Sequence, residues 1–367
     1  MTEAELILGI VVVTALAFDF TNGFHDTANV VATSISTRAM APRLAVGFAA
    51  VLNFVGAFIS LEVAATVAKD VVDPGAIDSN TVLFAGLIGA ITWNLITWYF
   101  GLPSSSSHAL IGGIVGSTFV AAGADAVLGE GILGKVLIPA LVAPLLAFVV
   151  GVIAITICYR ILGRQRPGPV TRGFRFGQIV SGGLLALAHG TNDAQKTMGV
   201  ITLALVVNGN LSAEQFEVPT WVVLSAASAI ALGTYMGGWR IIRTMGTRII
   251  RMDAAQGFSA QGAGAATILA SSHFGFPLST THVISGGVMG AGAGKRLSAV
   301  RWGVAGNMVV AWILTLPAAA AIGAFTYLLT DLFPGAVGTV LVALAAIGLA
   351  AMTFARRARQ SVPATAG

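Results

Sequence analysis

Seven apolar runs set the rhythm of the chain, over residues 6–18, 44–59, 82–100, 136–158, 222–238, 304–327 and 337–354. A helix needs about 20 mostly apolar residues to cross a bilayer, so several of these runs can span unaided. The polar stretches between them are too short to fold as domains. The pattern predicts an all-α polytopic membrane protein whose function sits within or between its spans. One segment, "FTNGFHDTANVVATSIS" (20–36), breaks the pattern by placing Asn22, His25, Asp26 and Asn29 in a mostly apolar stretch.

Composition agrees. Of 367 residues, 56% are hydrophobic and 10% charged, with mean hydropathy +0.87; soluble domains carry roughly 25% charged residues. The start, "MTEAELILGI", lacks the basic region of a cleavable signal peptide, so the first span is expected from Leu6. The single cysteine, Cys158, excludes an intrachain disulfide and argues against a thiol metal site. Forty-five glycines permit close helix packing and broken helices.

Charge distribution says more than the net +5. All basic residues except Lys69, Lys135 and Lys196 fall at Arg38/Arg43 or within 160–175, 240–251, 295–301 and 356–359. Most acids fall elsewhere: Glu3 and Glu5, 70–78, Asp125 and Glu130, Glu214 and Glu217, Asp331. By the positive-inside rule the basic clusters are cytoplasmic and the acidic loops external. The chain then sits in the cell (inner) membrane with its N-terminus outside and its C-terminus in the cytoplasm. The excess positive charge reads as orientation, with no nucleic-acid partner.

Two blocks recur in the order A-B-A-B. "NGFHDTANVVATSI" (22–35) matches "HGTNDAQKTMGVIT" (189–202), and "GLPSSSSHALIGGIVG" (101–116) matches "GFPLSTTHVISGGVMG" (275–290). The offsets are 167 and 174 residues. By the charge walk the first A block runs from outside to inside and the second from inside to outside. The halves are therefore expected to be inverted-topology repeats, as in many secondary transporters. The expected division is 1–159 as the first repeat and 160–175 as a basic cytoplasmic linker. Residues 176–330 form the second repeat and 331–367 an extra span and tail.

Each A block lies in about 32 residues between opposite faces, more than one crossing needs, so a broken or re-entrant helix is expected with breaks at Gly23 and Gly190. Each B block opens Gly-x-Pro and continues with hydroxyls: Ser104, Ser105, Ser106 and Ser107, then Ser279, Thr280 and Thr281. Proline suits a first helical turn and Ser or Thr cap helix starts, so a re-entrant hairpin is expected, its second arm presenting an N-terminus to a cavity. Two such N-termini suit a tetrahedral oxyanion. Asp26 and Asp193, as intramembrane carboxylates, mark an ion pathway and would hold a coupling cation, metal or proton. Asn22, Asn29 and Asn192 offer carbonyls to a cation or amides to an anion. In the repeat His25 stands opposite Asn192, and Asn29 opposite Lys196. His25 can titrate near neutral pH. The Lys196 ammonium could contact the anion, occupy the place of a metal cation, or brace Asp193 three residues away. His108 and His282 read as packing or capping residues, and the tryptophans as including interface anchors. Asp19 lies in the pathway or caps the break.

These residues resemble the inorganic phosphate transporter (Pit) family, whose duplicated signature is Gly-x-Asn-Asp-x-x-Asn; here it reads "GFHDTAN" and "GTNDAQK". The resemblance covers about 19–116 and 187–290. It implies import of inorganic phosphate in symport with a cation, with Asp26, Asn29, Asn192 and Asp193 at a central site and the Ser/Thr turns as phosphate ligands. The departures at His25 and Lys196 are similar to those of bacterial proton-coupled members, which resemble carriers of a neutral metal–phosphate complex. H⁺ is thus the expected coupling ion, with Na⁺ the alternative and Mg²⁺ a companion of phosphate; no other cofactor is expected. The resemblance also suggests a homodimer, which no sequence feature requires.

A permease for sulfate or another oxyanion would use the same fold. A channel predicts continuous pore-lining helices or charged rings, whereas discontinuous, unequal halves favour alternating access. An embedded hydrolase would carry one nucleophile–base pair, not a duplicated one, and neither Gly-x-Ser-x-Gly nor His-Glu-x-x-His occurs. The chain reads as a transporter, not an enzyme.

Overall fold

Lipid offers nothing to backbone N–H and C=O groups, so apolar segments must bond internally, and this chain does so as helices. The computed structural model describes residues 2–212 and 217–361, and every regular element among them is helical. Glu214, expected among the external acids, lies outside the described residues, as do the side chains of Arg357 and Arg359. The first half holds α1 (Glu3–Ser36), α2 (Pro42–Gly56), α3 (Glu62–Lys69), α4 (Thr81–Phe100) and α5 (Ser106–Ala122). A short α6 (Gly129–Gly131) runs through a π turn into α7 (Ile138–Leu162). The second half holds α8 (Pro167–Val207), α9 (Thr220–Met236), α10 (Trp239–Arg243), α11 (Ala254–His273), α12 (Thr280–Lys295) and α13 (Trp302–Asp331). An additional α14 (Ala336–Ser361) follows. Among the described residues, 5 helices are long and apolar enough to cross a membrane, or 6 if the bent segment of α9 and its continuation to Arg248 counts as one.

The expected breaks at Gly23 and Gly190 are absent. α1 runs unbroken for 34 residues and α8 for 41. At 1.5 Å per residue they reach about 50 and 60 Å, against a hydrocarbon core of about 30 Å. The extra length is helix that tilts or projects, not a re-entrant bend. The two glycines serve close approach instead. A Cβ on Gly23 would run into the Ile230 carbonyl of α9, and one on Gly190 into the Asn53 carbonyl of α2. Each long helix thus seats its glycine on the second helix of the opposite half.

The halves also exchange their last helices: α7 packs on α12 and α13 on α5. Small residues allow both contacts. Gly286 and Gly290 of α12 lie against the Pro144 and Phe148 carbonyls, and Gly112 and Gly116 of α5 against those of Leu316 and Ala320. In a bilayer such close van der Waals contact takes the place of hydrophobic association.

The hairpins α4–α5 and α11–α12 are present. Ser105 and Ser279 are their N-caps, accepting from the His108 and His282 N–H groups at 3.1 and 3.3 Å. Pro103 and Pro277 stand two residues before those caps, outside the first turn where they were expected. Proline there limits the chain to an extended approach, which sets the cap angle.

Opposite charges gather at opposite ends. At one end Arg175 Nε donates to the Thr37 carbonyl (3.1 Å), Thr244 Oγ1 to that of Gly101 (3.0 Å), and Lys295 pairs with Asp253 (3.0 Å). At the other, Val72 bridges Val127, joining the loops of Asp73 and Asp125, and Gly335 lies against Glu3. The basic stretch 160–175 is mostly helix, since α7 runs into it and α8 starts within it.

Gly190→Ala should lower the melting temperature of the purified protein, since overpacking costs about 1–3 kcal/mol. Gly9→Ala, where an added Cβ meets nothing within 4 Å, should leave it unchanged. Equal melting of the two variants would remove the close-approach role.

Candidate functional site

α1 and α8 bring their polar turns together where the first turns of α5 and α12 end. Asp26 is 2% exposed and Asp193 0%, so each carboxylate depends on protein partners. Asp26 Oδ1 lies 2.6 Å from His25 Nδ1, and Asp26 Oδ2 accepts from Ser106 Oγ at 2.8 Å. The Ser106 hydroxyl also stands 2.6 Å from Asn22 Oδ1. Asp193 Oδ2 lies 3.0 Å from His189 Nε2, while Asp193 Oδ1 pairs directly with Lys196. Thr280 Oγ1 stands between the two acids, 3.3 Å from Asp26 Oδ2 and 3.2 Å from Asp193 Oδ2. Asn29 Nδ2 donates to Thr281 Oγ1 at 2.9 Å, and that hydroxyl is 3.5 Å from Asp26 Oδ1.

The hairpins meet here too. Ser107 Oγ donates to the Leu278 carbonyl at 2.8 Å, tying the start of α5 to the turn before α12. Lys196 Nζ reaches both, at 2.6 Å from Ser107 Oγ and 2.8 Å from the Leu278 oxygen. Asp26, Asp193, Asn22, Asn29, Lys196, Ser106, Ser107, Thr280 and Thr281, singled out in the sequence, therefore share one buried cluster. Its oxygens can hold a cation, and the first-turn N–H groups and hydroxyls of α5 and α12 can hold an oxyanion.

Other residues lie beside it. Asn192 turns its amide to Ser272 Oγ (2.8 Å) and the Phe276 carbonyl (3.1 Å), away from the carboxylates. His25 Nε2 is directed to Thr97 Oγ1 at 3.1 Å, with Ser104 Oγ at 3.5 Å. These two repeat-related positions both tie a long helix to the adjoining hairpin. Ser104 donates to Thr97 (2.9 Å), and Ser105 and Ser279 are occupied as caps. The rings of His108 and His282 pack. They meet edge to face at 4.8 Å, and His282 stacks on Trp312 at 4.1 Å. Trp312 donates to the Pro103 carbonyl, so it braces the turn instead of marking an interface. Asp19 is fully buried beside Thr197 and Asn22.

His189 went unnoticed in the sequence. One ligand atom each from Asp26, His189 and Asp193 lies within 4.8 Å of the others, a donor set suited to a cation. The signal was present: His189 opens the second A block, four residues before Asp193 and so on the same helical face. Thr97 carried no signal, because only the hairpin fold brings it to His25.

The Phosphate transporter family pattern matches residues 22–323, which include the polar turn of α1, all of α8 and both hairpins. The chain belongs to the phosphate transporter family. A Mycobacterium tuberculosis protein named "Probable low-affinity inorganic phosphate transporter" is 55% identical over 335 residues, 91% of this chain and 80% of its own. A Bacillus subtilis protein of the same name is 46% identical over 324 residues, 88% and 97% of the two chains. A solved structure described as "The sodium-dependent phosphate transporter" superposes with TM-score 0.80 at 25% identity, over 89% of this chain and all of that one. The family is one of transporters, not enzymes, and this member is a multi-pass membrane protein.

Removing the Ser106 hydroxyl leaves Asp26 and Asn22 short of a buried donor, worth about 1–3 kcal/mol. Ser106→Ala should therefore lower the melting temperature more than Ser105→Ala, which removes a cap worth about 1 kcal/mol. Equal losses would mean the carboxylate bond contributes nothing of its own.

Proposed function

We propose that this protein imports inorganic phosphate, alone or as a neutral metal–phosphate complex, in symport with a cation, H⁺ in the first reading. The observation that carries this is the juxtaposition of two buried carboxylates with the first turns of two hydroxyl-bearing helices. The helix starts suit a phosphate, with Ser106, Ser107, Thr280 and Thr281 within reach and Asn29 beside them. The carboxylates do not suit it. A unit charge on phosphate about 5 Å from one carboxylate costs about 3 kcal/mol at an effective dielectric of 20, more than a hundredfold in affinity. Lys196 offsets one acid; the other needs a cation that enters with the anion. Asp26, Asp193 and His189 are the groups that would receive it, or a metal ion travelling with phosphate.

Inverted repeats with re-entrant hairpins supply the route: the two halves would rock about the central cluster, exposing it to each side in turn. The exchanged helices and the matching order of elements support this reading. The segregation of charge supports an external N-terminus and a cytoplasmic C-terminus. Sodium coupling is the second reading, favoured by the sodium dependence for which the solved relative is named. The homodimer remains an expectation of the family resemblance.

Uptake of radiolabelled phosphate into proteoliposomes should accelerate with an inward proton gradient, and more so with Mg²⁺, while excess sulfate leaves it unchanged. A requirement for sodium would overturn the coupling ion, and inhibition by sulfate the substrate. Asp193→Asn should abolish coupled uptake in a protein that remains inserted and monodisperse; normal coupling in that variant would sink the carboxylate's role.

A further inference from the structure

We infer that the Lys196 ammonium is a tethered counter-ion filling a cation cage, so that one half of the transporter carries its own cation where a free monovalent ion would otherwise bind. An ammonium has three N–H donors. All three have protein oxygens to meet: Asp193 Oδ1, Ser107 Oγ and the Leu278 carbonyl. No donor is left for a phosphate, so the lysine does not serve the anion as a direct ligand in this conformation. A simple brace for Asp193 would need only the first contact. The other two come from separate elements, the start of α5 and the turn before α12. Together they make a carboxylate, a hydroxyl and a backbone carbonyl, the oxygen donors that hard cations select. The side chain is 1% exposed, so the charge resides in the cage and not in water.

The repeat makes the point by contrast. The offsets of the A and B blocks carry Asp193, Ser107 and Leu278 onto Asp26, Thr281 and Ser104, and Lys196 onto Asn29. On that side the Asn29 amide bonds Thr281, and among the described residues Asp26 has an ion-pair contact with His25 and none with a lysine. One half thus brings a fixed cation and the other leaves its carboxylate to an ion that comes and goes. Replacing Lys196 with a short neutral residue makes the halves alike and opens the second cage.

The inference rests on the proposed transport site, but its test needs no phosphate. Lys196→Ala and Lys196→Asn, purified in choline chloride, should gain a melting temperature that rises with NaCl at constant ionic strength. The rise should be about 2 °C for each tenfold increase in sodium beyond half-saturation. Lys196→Met, which fills the space without charge, should respond to sodium no more than the native protein does. Methylammonium, a detached copy of the lost group, should stabilise Lys196→Ala but not Lys196→Met. If the short variants fail to fold in choline, their monodisperse yield should recover when they are prepared in sodium. Short variants with no response to sodium or methylammonium in melting or yield would overturn the tethered-ion role. Loss of phosphate uptake by the native protein would strike the transport reading instead.

Discussion

Two carboxylates buried in an apolar bundle are the constraint on which the rest of this structure depends. An unpaired charge there would cost several kcal/mol, so Asp26 and Asp193 each require partners at fixed distance. A single helix cannot supply them. α1 provides His25 for Asp26, and α8 provides His189 and Lys196 for Asp193. The remaining bonds come from hydroxyls at the starts of α5 and α12. Four elements must therefore meet at one point, two from each half. Because those remaining partners are hydroxyls at helix starts, the same arrangement that satisfies the acids also presents donors to an anion.

That meeting sets the packing around it. Long helices can cross at the cluster only if their neighbours come close, and glycines at 23, 190, 112, 116, 286 and 290 stand where backbone meets backbone. The halves become interlocked instead of lying side by side: α1 on α9, α8 on α2, α7 on α12 and α13 on α5. A motion of either half would thus be felt at both carboxylates. This geometry differs from a pore, in which rings of like residues line a path and no residue bridges across it. Here Thr280 bridges the two acids, and Ser107 and Lys196 bridge the two hairpins.

Much of this was legible in the sequence because duplication marks residues that a single motif does not. Asp26 and Asp193 converge with Ser106, Ser107, Thr280 and Thr281 of the two duplicated hydroxyl runs, while Ser104, Ser105 and Ser279 stand beside them. The expected breaks at Gly23 and Gly190 are replaced by unbroken helix. Helix length limits what can cross a membrane but not how far a helix projects, and glycine permits close packing as readily as bending. Asn192 shares the motif yet faces Ser272, because a one-residue step around a helix turns a side chain by about 100°. His189 was passed over since its repeat partner is Asn22, and a repeat draws attention to what is kept. Thr97 and Leu278 act through positions that only the folded hairpins define.

The departures from symmetry carry as much meaning as the symmetry. Where the first half has Asn29 the second has Lys196, and where the first has Asn22 the second has His189. Both changes fall around Asp193, none around Asp26 except His25, and together they surround Asp193 with nitrogen donors. Two acids in one cluster thus have different surroundings. Asp193 is held by groups that belong to the chain, two of them on its own helix face. Among the described residues, Asp26 is hydrogen-bonded by hydroxyls and by a single imidazole that is itself anchored to Thr97. A carboxylate ringed by hydroxyls can exchange a partner without breaking the fold, whereas one locked to a buried lysine cannot. On the proposed transport reading, an entering cation would therefore bind and leave against Asp26, with Asp193 and His189 lining its place and Lys196 as the fixed electrostatic frame.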